Sequence, residues 1–268
     1  MATVIEAQRL SKRFTLIHNR SESLKERFLA LFHRDKRQVS EDFWALKNVS
    51  LTVRSGETVG LVGRNGSGKS TLLKLIAGIH RPSSGRLLVA RHARIGTMIE
   101  LGVAFHQELT GQENVFLNAA IHGLSRRQIA KVYEQIVEYS GLQHFIDVPL
   151  KNYSAGMQMR LGFAVAANLD PDILLLDEIF SVGDELFRQR CTETMLRFAA
   201  EGKTILFVSH DAETIQKLCR RVWVLDRGEL VYDGPTEAGL DEYHRRISAE
   251  APRYVEGPEF AAARPARP

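Results

Sequence analysis

The chain carries the stretch Gly63-Arg64-Asn65-Gly66-Ser67-Gly68-Lys69-Ser70-Thr71, which decides the fold. The stretch fits the pattern G-x-x-x-x-G-K-[ST] in full, in which backbone N–H groups of a glycine-rich turn surround phosphate groups. Residues 58–62 before it are predicted as a buried strand, and residues 72–79 after it as an apolar helix. A strand, a phosphate-binding turn and a helix in this order predict an α/β protein that binds a nucleoside triphosphate.

The residue types within this phosphate loop match the chemistry it would perform. Glycines let successive N–H groups point inward without a side-chain clash, and the helix N-terminus adds partial positive charge. Lys69 would reach the β- and γ-phosphates as a point charge, and Ser70 would ligate Mg²⁺. The alternative is a chance match in a glycine-rich turn, which the flanking strand and helix disfavour.

A pair of carboxylates follows the apolar residues 173–176. Asp177, at the end of this predicted strand, would reach the Mg²⁺ shell, and Glu178 would orient or deprotonate an attacking water. The two negative charges would repel a triphosphate unless a metal ion lay between them, so the pair argues for Mg²⁺. An acidic turn exposed to solvent is the alternative, and the phosphate loop upstream makes the functional interpretation the better one.

Two further segments offer contacts to phosphate. His210 follows the apolar residues 204–208, at the strand end where parallel sheets bind ligands, although a lone histidine is more often a plain loop residue. The turn Tyr153-Ser154-Ala155-Gly156-Met157-Gln158 precedes a predicted helix over 159–168, whose N-terminus suits an anion. One nucleotide in one chain has no need for two such helix termini. Two chains arranged head to tail do, each loop facing the other chain's turn.

Composition sets only broad bounds on function. The 268 residues are 44% hydrophobic and 25% charged, as in an ordinary globular protein, and the net charge of +4 neither requires nor excludes contact with nucleic acid or an anionic membrane. The two cysteines, Cys191 and Cys219, have no spacing typical of disulfides or metal sites, which predicts a reduced, cytoplasmic chain. The N-terminus does not match a signal peptide, and no apolar stretch is long enough to cross a bilayer. Any membrane role is therefore expected to come through a partner.

The order of predicted elements suggests three regions. A helix over 126–140 is predicted from its apolar periodicity, with Ser125 and Gln128 as a capping box and Gly141 as its stop. Short apolar strands at 173–176, 205–208 and 222–225 predict a parallel sheet covered by helices. Residues 17–42 enclose an amphipathic piece with basic flanks. That piece suits either an anionic membrane or permease surface, or packing on its own domain.

On these motifs the sequence resembles the ATP-binding cassette (ABC) family over about residues 1–245. The resemblance implies a RecA-like core with a small β-subdomain and a helical subdomain, and ATP bound between two subunits. It makes the phosphate loop the Walker A motif, Asp177 the Walker B aspartate, Glu178 the catalytic carboxylate and His210 the switch histidine. Ser154, Ala155 and Gly156 become a variant of the family signature, with alanine in place of the usual glycine. The expected boundaries are an ATPase domain over 1–245, a helical subdomain over about 96–169, an insertion over about 17–42 and a disordered tail over 246–268.

The sequence departs from the commonest ABC pattern in three places. Glu100 stands at or near the position of the usual Mg²⁺-sensing glutamine, and we expect it near the metal. The family's D-loop reads Ser181-Val182-Gly183-Asp184 instead of Ser-Ala-Leu-Asp. The insertion leaves three aromatic candidates for stacking on adenine, namely Phe14, Phe43 and Trp44.

Together with these departures, three motifs resemble the branch of the family that exports cell-surface polysaccharides and teichoic acids. They are Glu100-Leu101-Gly102 with Phe105, Leu109-Thr110-Gly111-Gln112-Glu113-Asn114, and Tyr153-Ser154-Ala155-Gly156-Met157. The resemblance implies ATP and Mg²⁺ as cofactors, a homodimer of ATPase subunits, an integral-membrane permease dimer as partner and a lipid-linked glycan as the transported substrate. It implies a place on the cytoplasmic face of the bacterial inner membrane, peripheral through the permease.

The alternative is a non-transport ABC ATPase that acts on nucleic acid or the ribosome. The basic pI allows it, but the chain has neither a second cassette nor a heptad-rich coiled coil between residues 69 and 154. No nucleic-acid partner is therefore expected.

Overall fold

The computed structural model describes residues 2–18, 39–98, 105–177, 185–209 and 211–250. The strands in these ranges are β1 Thr3–His18, β2 Val39–Arg54, β3 Thr58–Gly63, β4 Ser84–Val89, β5 Ile95–Met98, β6 Ile173–Asp177, β7 Thr204–Val208, β8 Arg221–Asp226 and β9 Glu229–Pro235. The α-helices are α1 Lys69–Ile76, α2 Gly111–Ile121, α3 Arg126–Ser140, α4 Ala155–Asn168, α5 Glu185–Ala200, α6 Ala212–Leu218 and α7 Thr236–Glu250. The alternation of strands and helices makes the protein an α/β fold, as the sequence predicts.

A six-stranded sheet in the order β5-β6-β7-β3-β8-β9 forms the centre of the fold. The strands from β5 to β8 in this order are parallel, and β9 adds an antiparallel edge that the sequence interpretation did not foresee. Alternate residues of β6 enter different apolar clusters: Ile173 and Leu175 pack towards α1, whereas Leu174 and Leu176 pack towards α5. Burial on both faces explains why these strands have continuous apolar sequences.

A second sheet has the order β2-β1-β4 and is antiparallel throughout. Strand β2 begins at Val39, so residues 39–42 of the predicted insertion pair with β1. Asp42 fixes this end of the pair, since it accepts hydrogen bonds from Arg13 at 2.8 Å and Thr15 at 3.0 Å. The amphipathic piece predicted within the insertion lies outside the described residues.

Helices α2, α3 and α4 form a separate apolar cluster and correspond to the predicted helical subdomain. The predicted helix 126–140 is confirmed in its bounds, as are its capping box at Ser125 and its left-handed Gly141. Residues 96–98, at the start of the predicted subdomain, instead belong to the central sheet, and the first helix among the described residues of this region starts at Gly111.

One predicted helix end and one predicted domain boundary differ from the structure. Helix α1 ends at Ile76 instead of residue 79, because Gly78 adopts a left-handed φ of 75°. Helix α7 continues to Glu250, past residue 245, and Arg246 stabilises its last turns through ion pairs with Glu242 and Asp226. The predicted tail beyond residue 250 lies outside the described residues.

Cys191 and Cys219 are both free and buried. Burial raises the pKa of both thiols, that of Cys219 to about 12. Within the described ranges no helix is both long and apolar enough to span a bilayer.

Candidate nucleotide site

The parallel sheet brings the predicted phosphate loop and the acidic strand end to one edge. In the strand register, Asp177 of β6 lies beside Val208 of β7, which lies beside Leu61 of β3. Neighbouring strands are about 4.8 Å apart, so Asp177 lies about 10 Å from the strand that leads into the phosphate loop. This carboxyl edge is where open parallel sheets bind ligands.

Two features of the phosphate loop call for glycine, namely left-handed backbone angles and the close approach of neighbouring atoms. Gly66 and Gly68 have φ angles of 79° and 106°, in the left-handed region that glycine tolerates best. A Cβ on Gly68 would overlap with the carbonyl oxygen of Ala45 and lie 2.8 Å from the side chain of Leu46. Around Gly66 there is open space, since a Cβ placed there would meet no atom of the described residues within 4 Å other than its chain neighbours. The loop is therefore packed on one side and open on the other.

Lys69 is held inside the loop. Its side chain is buried, and its ammonium donates hydrogen bonds to the carbonyl oxygens of Gly63 at 2.7 Å and Arg64 at 3.0 Å. A buried ammonium costs free energy unless it is paired, and two loop carbonyls are among its partners here. The position suits a charge that exchanges these carbonyls for phosphate oxygens.

The start of helix α1 leaves backbone donors for an anion. Its N-cap is Gly68, which has no side chain to cap the helix, and its first turn contains no acidic residue. The Oγ of Ser67 is buried and has no hydrogen-bond partner among the described residues. Uncapped N–H groups, a buried cation and an orphaned hydroxyl together fit a bound phosphate group. Ser70 lies in the first turn of α1 and is half-buried. This position suits a hydroxyl that would ligate a metal ion beside that phosphate.

The acidic strand end is described only in part. Asp177 is the last residue of β6 and is half-buried. Glu178, His210, Glu100 and the segment Ser181-Val182-Gly183-Asp184 lie outside the described residues, and their roles remain predictions.

The aromatic candidates for adenine stacking fall on different faces of the β1–β2 pair. Phe14 lies opposite Phe43, whereas Trp44 lies opposite Arg13 and under its guanidinium at 5.7 Å. Because side chains alternate along a strand, Phe14 and Trp44 cannot face the same base. The ring of Phe14 also packs edge-on against His80, 5.5 Å away.

The signature-like turn lies at the N-terminus of α4. Ser154 is the N-cap and accepts a hydrogen bond from the backbone N–H of Met157 at 3.2 Å. Ser154 and Ala155 are exposed, and Gly156 is half-exposed. The preceding Tyr153 is buried and donates to the carbonyl of Phe145 at 2.6 Å, and burial raises its pKa to about 12. The turn is thus fixed to the core through Tyr153, while Ser154 and Ala155 face solvent and could contact another molecule.

Sequence reasoning missed the β8–β9 turn, which contacts the phosphate loop directly. The backbone N–H of Gly228 donates to the carbonyl of Ser67 at 3.0 Å, and the Gly228 carbonyl accepts from the N–H of Lys47 at 2.7 Å. Asp226-Arg227-Gly228 after an apolar run is a turn signal, but nothing in it predicts where the turn packs.

The fold and this loop define a P-loop protein that binds a nucleoside triphosphate at the carboxyl edge of its sheet. The profile of the family described as ABC transporter matches residues 46–181, about half of the chain. The chain belongs to the ABC transporter family. This confirms the predicted fold and the predicted class of an ATP-hydrolysing subunit.

Named relatives carry the same cassette. The chain is 39% identical to the O-antigen export system ATP-binding protein RfbB of Klebsiella pneumoniae, over 92% of this chain and all of that protein. It is 38% identical to the teichoic acids export ATP-binding protein TagH of Listeria monocytogenes, over 89% of this chain and 69% of that protein. The dimeric ATP-binding cassette MJ0796, solved with ADP and Pi, superposes with a TM-score of 0.68 over 87% of this chain and 98% of that chain, at 23% identity. These names bear out the predicted resemblance to the polysaccharide and teichoic acid branch.

Proposed function

We propose that this protein is the ATPase subunit of an ABC exporter that moves a lipid-linked surface glycan across the bacterial inner membrane. The observation that carries the proposal is its alignment over the full length of an O-antigen export ATP-binding protein. A second relative, from another organism, is named for the export of teichoic acids.

The phosphate-loop geometry supports the chemistry that such a subunit needs. Lys69 releases the carbonyls of Gly63 and Arg64 and takes up phosphate oxygens, while the N–H groups at the start of α1 bind the same anion. Ser70 and Asp177, with Glu100 near them, would hold Mg²⁺, which neutralises phosphate charge. Glu178 orients and deprotonates the attacking water, and His210 contacts the γ-phosphate.

Two copies of the chain form the working unit. The exposed turn at Ser154, Ala155 and Gly156 supports this, because it offers backbone donors and a hydroxyl that its own chain leaves facing solvent. Each turn closes on the nucleotide of the other copy. The dimer sits on the cytoplasmic face of the membrane, attached to a permease dimer. One of Phe14, Phe43 and Trp44 stacks on the adenine.

Replacing Glu178 with glutamine tests the catalytic part of the proposal. The variant should bind ATP with near-normal affinity, hydrolyse it at least about a hundredfold more slowly because it loses its general base, and elute as a dimer with ATP in size-exclusion chromatography. Near-normal turnover would remove Glu178 from this role.

The cargo is tested in cells. A strain that lacks the gene should lose a surface glycan and accumulate its lipid-linked precursor on the cytoplasmic side. Wild-type protein should restore export and Glu178→Gln should not. An unchanged surface, with defects in translation or DNA repair instead, would favour the nucleic-acid alternative.

A further inference from the structure

Helix α7, the last among the described residues, ends beside the phosphate loop. Arg64 of the loop lines a small cavity together with Tyr243, Arg246 and Ile247 of α7 and the end of β8. About 10 Å³ of this cavity is open to water, room for roughly one molecule. The last two turns of α7 therefore pack against the outer side of the nucleotide site.

Helix α7 is docked on the central sheet at its start. Thr236 donates from its hydroxyl to the carbonyl of Cys219 at 2.7 Å, and Gly239 lies so close to Val222 and Tyr232 that a Cβ there would overlap both. Leu240 is buried in the core. This docking brings the other end of the helix to a defined place beside β8.

Arg246 joins that end of α7 to the β8–β9 turn. Its Nη1 donates to Oδ2 of Asp226 at 3.1 Å, and its Nε donates to Oε1 of Glu242 at 2.6 Å. Asp226 is the last residue of β8 and is mostly buried, so this ion pair is less exposed to solvent than most surface pairs.

The same turn bonds to the phosphate loop two residues later. Gly228 donates to the Ser67 carbonyl, and Leu225, next to Asp226, packs its carbonyl against Gly63. The connection therefore runs from Arg246 through Asp226 and the turn to both ends of the glycine-rich segment.

We propose that Arg246 is a positioning residue for ATP binding: by holding Asp226, it keeps the β8–β9 turn against Ser67 and so preorganises the phosphate loop. The inference rests on nucleotide binding at that loop and not on the proposed cargo. Preorganisation of this kind lowers the cost of ordering the loop when phosphate binds.

The chain offers a matched control in the adjacent residue. Arg245 also pairs with Glu242, at 2.5 Å, but its side chain is 72% exposed and it is not among the partners of Asp226 in the described contacts. Arg246→Ala and Arg245→Ala thus remove equal charge from the same helical turn, and only the first breaks the link to the turn.

The test measures ATP affinity of the full chain by fluorescent-nucleotide titration, together with hydrogen–deuterium exchange. In Arg246→Ala, ATP binding should weaken about fivefold, because a loop displaced slightly no longer matches the phosphates. Backbone amides in peptides covering residues 60–70 and 222–230 should exchange faster. Arg245→Ala should match the wild type in both measurements. Asp226→Asn should reproduce the loss, and the double change with Arg246→Ala should add little to it.

Contrary results are easy to recognise. Unchanged affinity in Arg246→Ala, or an equal loss in Arg245→Ala, would overturn the proposal. Failure of both Arg246→Ala and Asp226→Asn to fold would make the pair purely structural, which also overturns it. Lys69→Ala separates this inference from the nucleotide site itself: if wild type and Lys69→Ala bind ATP equally, the site assignment fails and not merely the role of Arg246.

Discussion

At the scale of single residues, the phosphate loop depends on backbone angles and on two close neighbours. Gly68 combines a left-handed φ of 106° with a backbone approach from Ala45, whereas Gly78 has a φ of 75° and open space around it. Both positions strain any other residue, but only Gly68 would also clash. Comparing substitutions at Gly78 and Gly68 therefore separates the free-energy cost of a left-handed φ from the added cost of a steric clash.

We expect Gly78→Ala to lower the free energy of unfolding by about 1 kcal/mol, the cost of a left-handed L-residue. Gly68→Ala should lower it further and should weaken ATP binding by about tenfold or more, since the strand at Ala45 or the loop must shift. Thermal unfolding and nucleotide titration measure the two effects. Equal losses in both variants would mean that crowding at Gly68 is relieved without cost.

At the scale of elements, helix N-termini serve two purposes in this chain. Helix α2 is capped by Thr110, which accepts from the N–H of Glu113 at 3.2 Å in a complete capping box. Helix α4 is capped by Ser154, whose hydroxyl accepts from the N–H of Met157, and this cap is also the residue proposed to meet a second nucleotide. Helix α1 has no side-chain cap. Comparing the caps of α2 and α4 therefore separates the effect of a cap on stability from its effect on ATP turnover.

Thr110→Ala and Ser154→Ala should each reduce the free energy of unfolding by about 1 kcal/mol through loss of the cap. Only Ser154→Ala should also lower ATP turnover, by about tenfold, since a hydrogen bond to a charged phosphate is lost. Steady-state ATPase assays well below the unfolding temperature measure this. A similar fall in turnover for Thr110→Ala would show that general loosening of the helical region, and not Ser154, is responsible.

Local patterns predicted those elements whose signals are local. The helix 126–140 has both its caps and its apolar period in its own sequence, and the phosphate loop is a contiguous motif. Contacts between distant segments were not predictable in this way. Examples are the ion pair between Asp226 and Arg246 and the hydrogen bond from Gly228 to Ser67. In neither case does a sequence motif near one residue indicate its distant partner. The edge strand β9 was missed because its sequence is half-exposed and contains both glycine and proline.

At the scale of the whole molecule, ion pairs tie the amino ends of the central strands together. Asp170, before β6, accepts hydrogen bonds from Lys203 at 2.6 Å and Arg94 at 2.9 Å, which precede β7 and β5. These bonds, Lys203 first and Arg94 second, hold the pKa of the Asp170 carboxyl below its ordinary value. Because the folded pKa is lowered, the stabilisation is present above the unfolded pKa and is lost as pH falls through the folded pKa.

We expect Asp170→Asn to lower the free energy of unfolding at pH 7 by less than about 1 kcal/mol, because the group is largely exposed and screened by salt. Asparagine tolerates the left-handed φ of 48° at this position, so the backbone is not an additional cause. The difference from wild type should shrink below pH 4 and in high salt. Urea unfolding across pH measures it, and a difference that stays the same from pH 7 to the lowest pH at which both proteins fold would exclude the ion pairs as its source.

The bridge from Lys47 through Gly228 to Ser67 consists of main-chain atoms alone. Any residue other than proline supplies the N–H at position 47, and every residue supplies the carbonyl at position 67. Comparing side chains between homologues therefore reveals little about how well this joint is preserved. Two homologues can therefore share this joint even where their side chains differ. A change to proline at position 47 would remove the N–H that bonds to Gly228, so in a natural variant we expect it to disturb the joint more than a charge reversal at a neighbouring side chain.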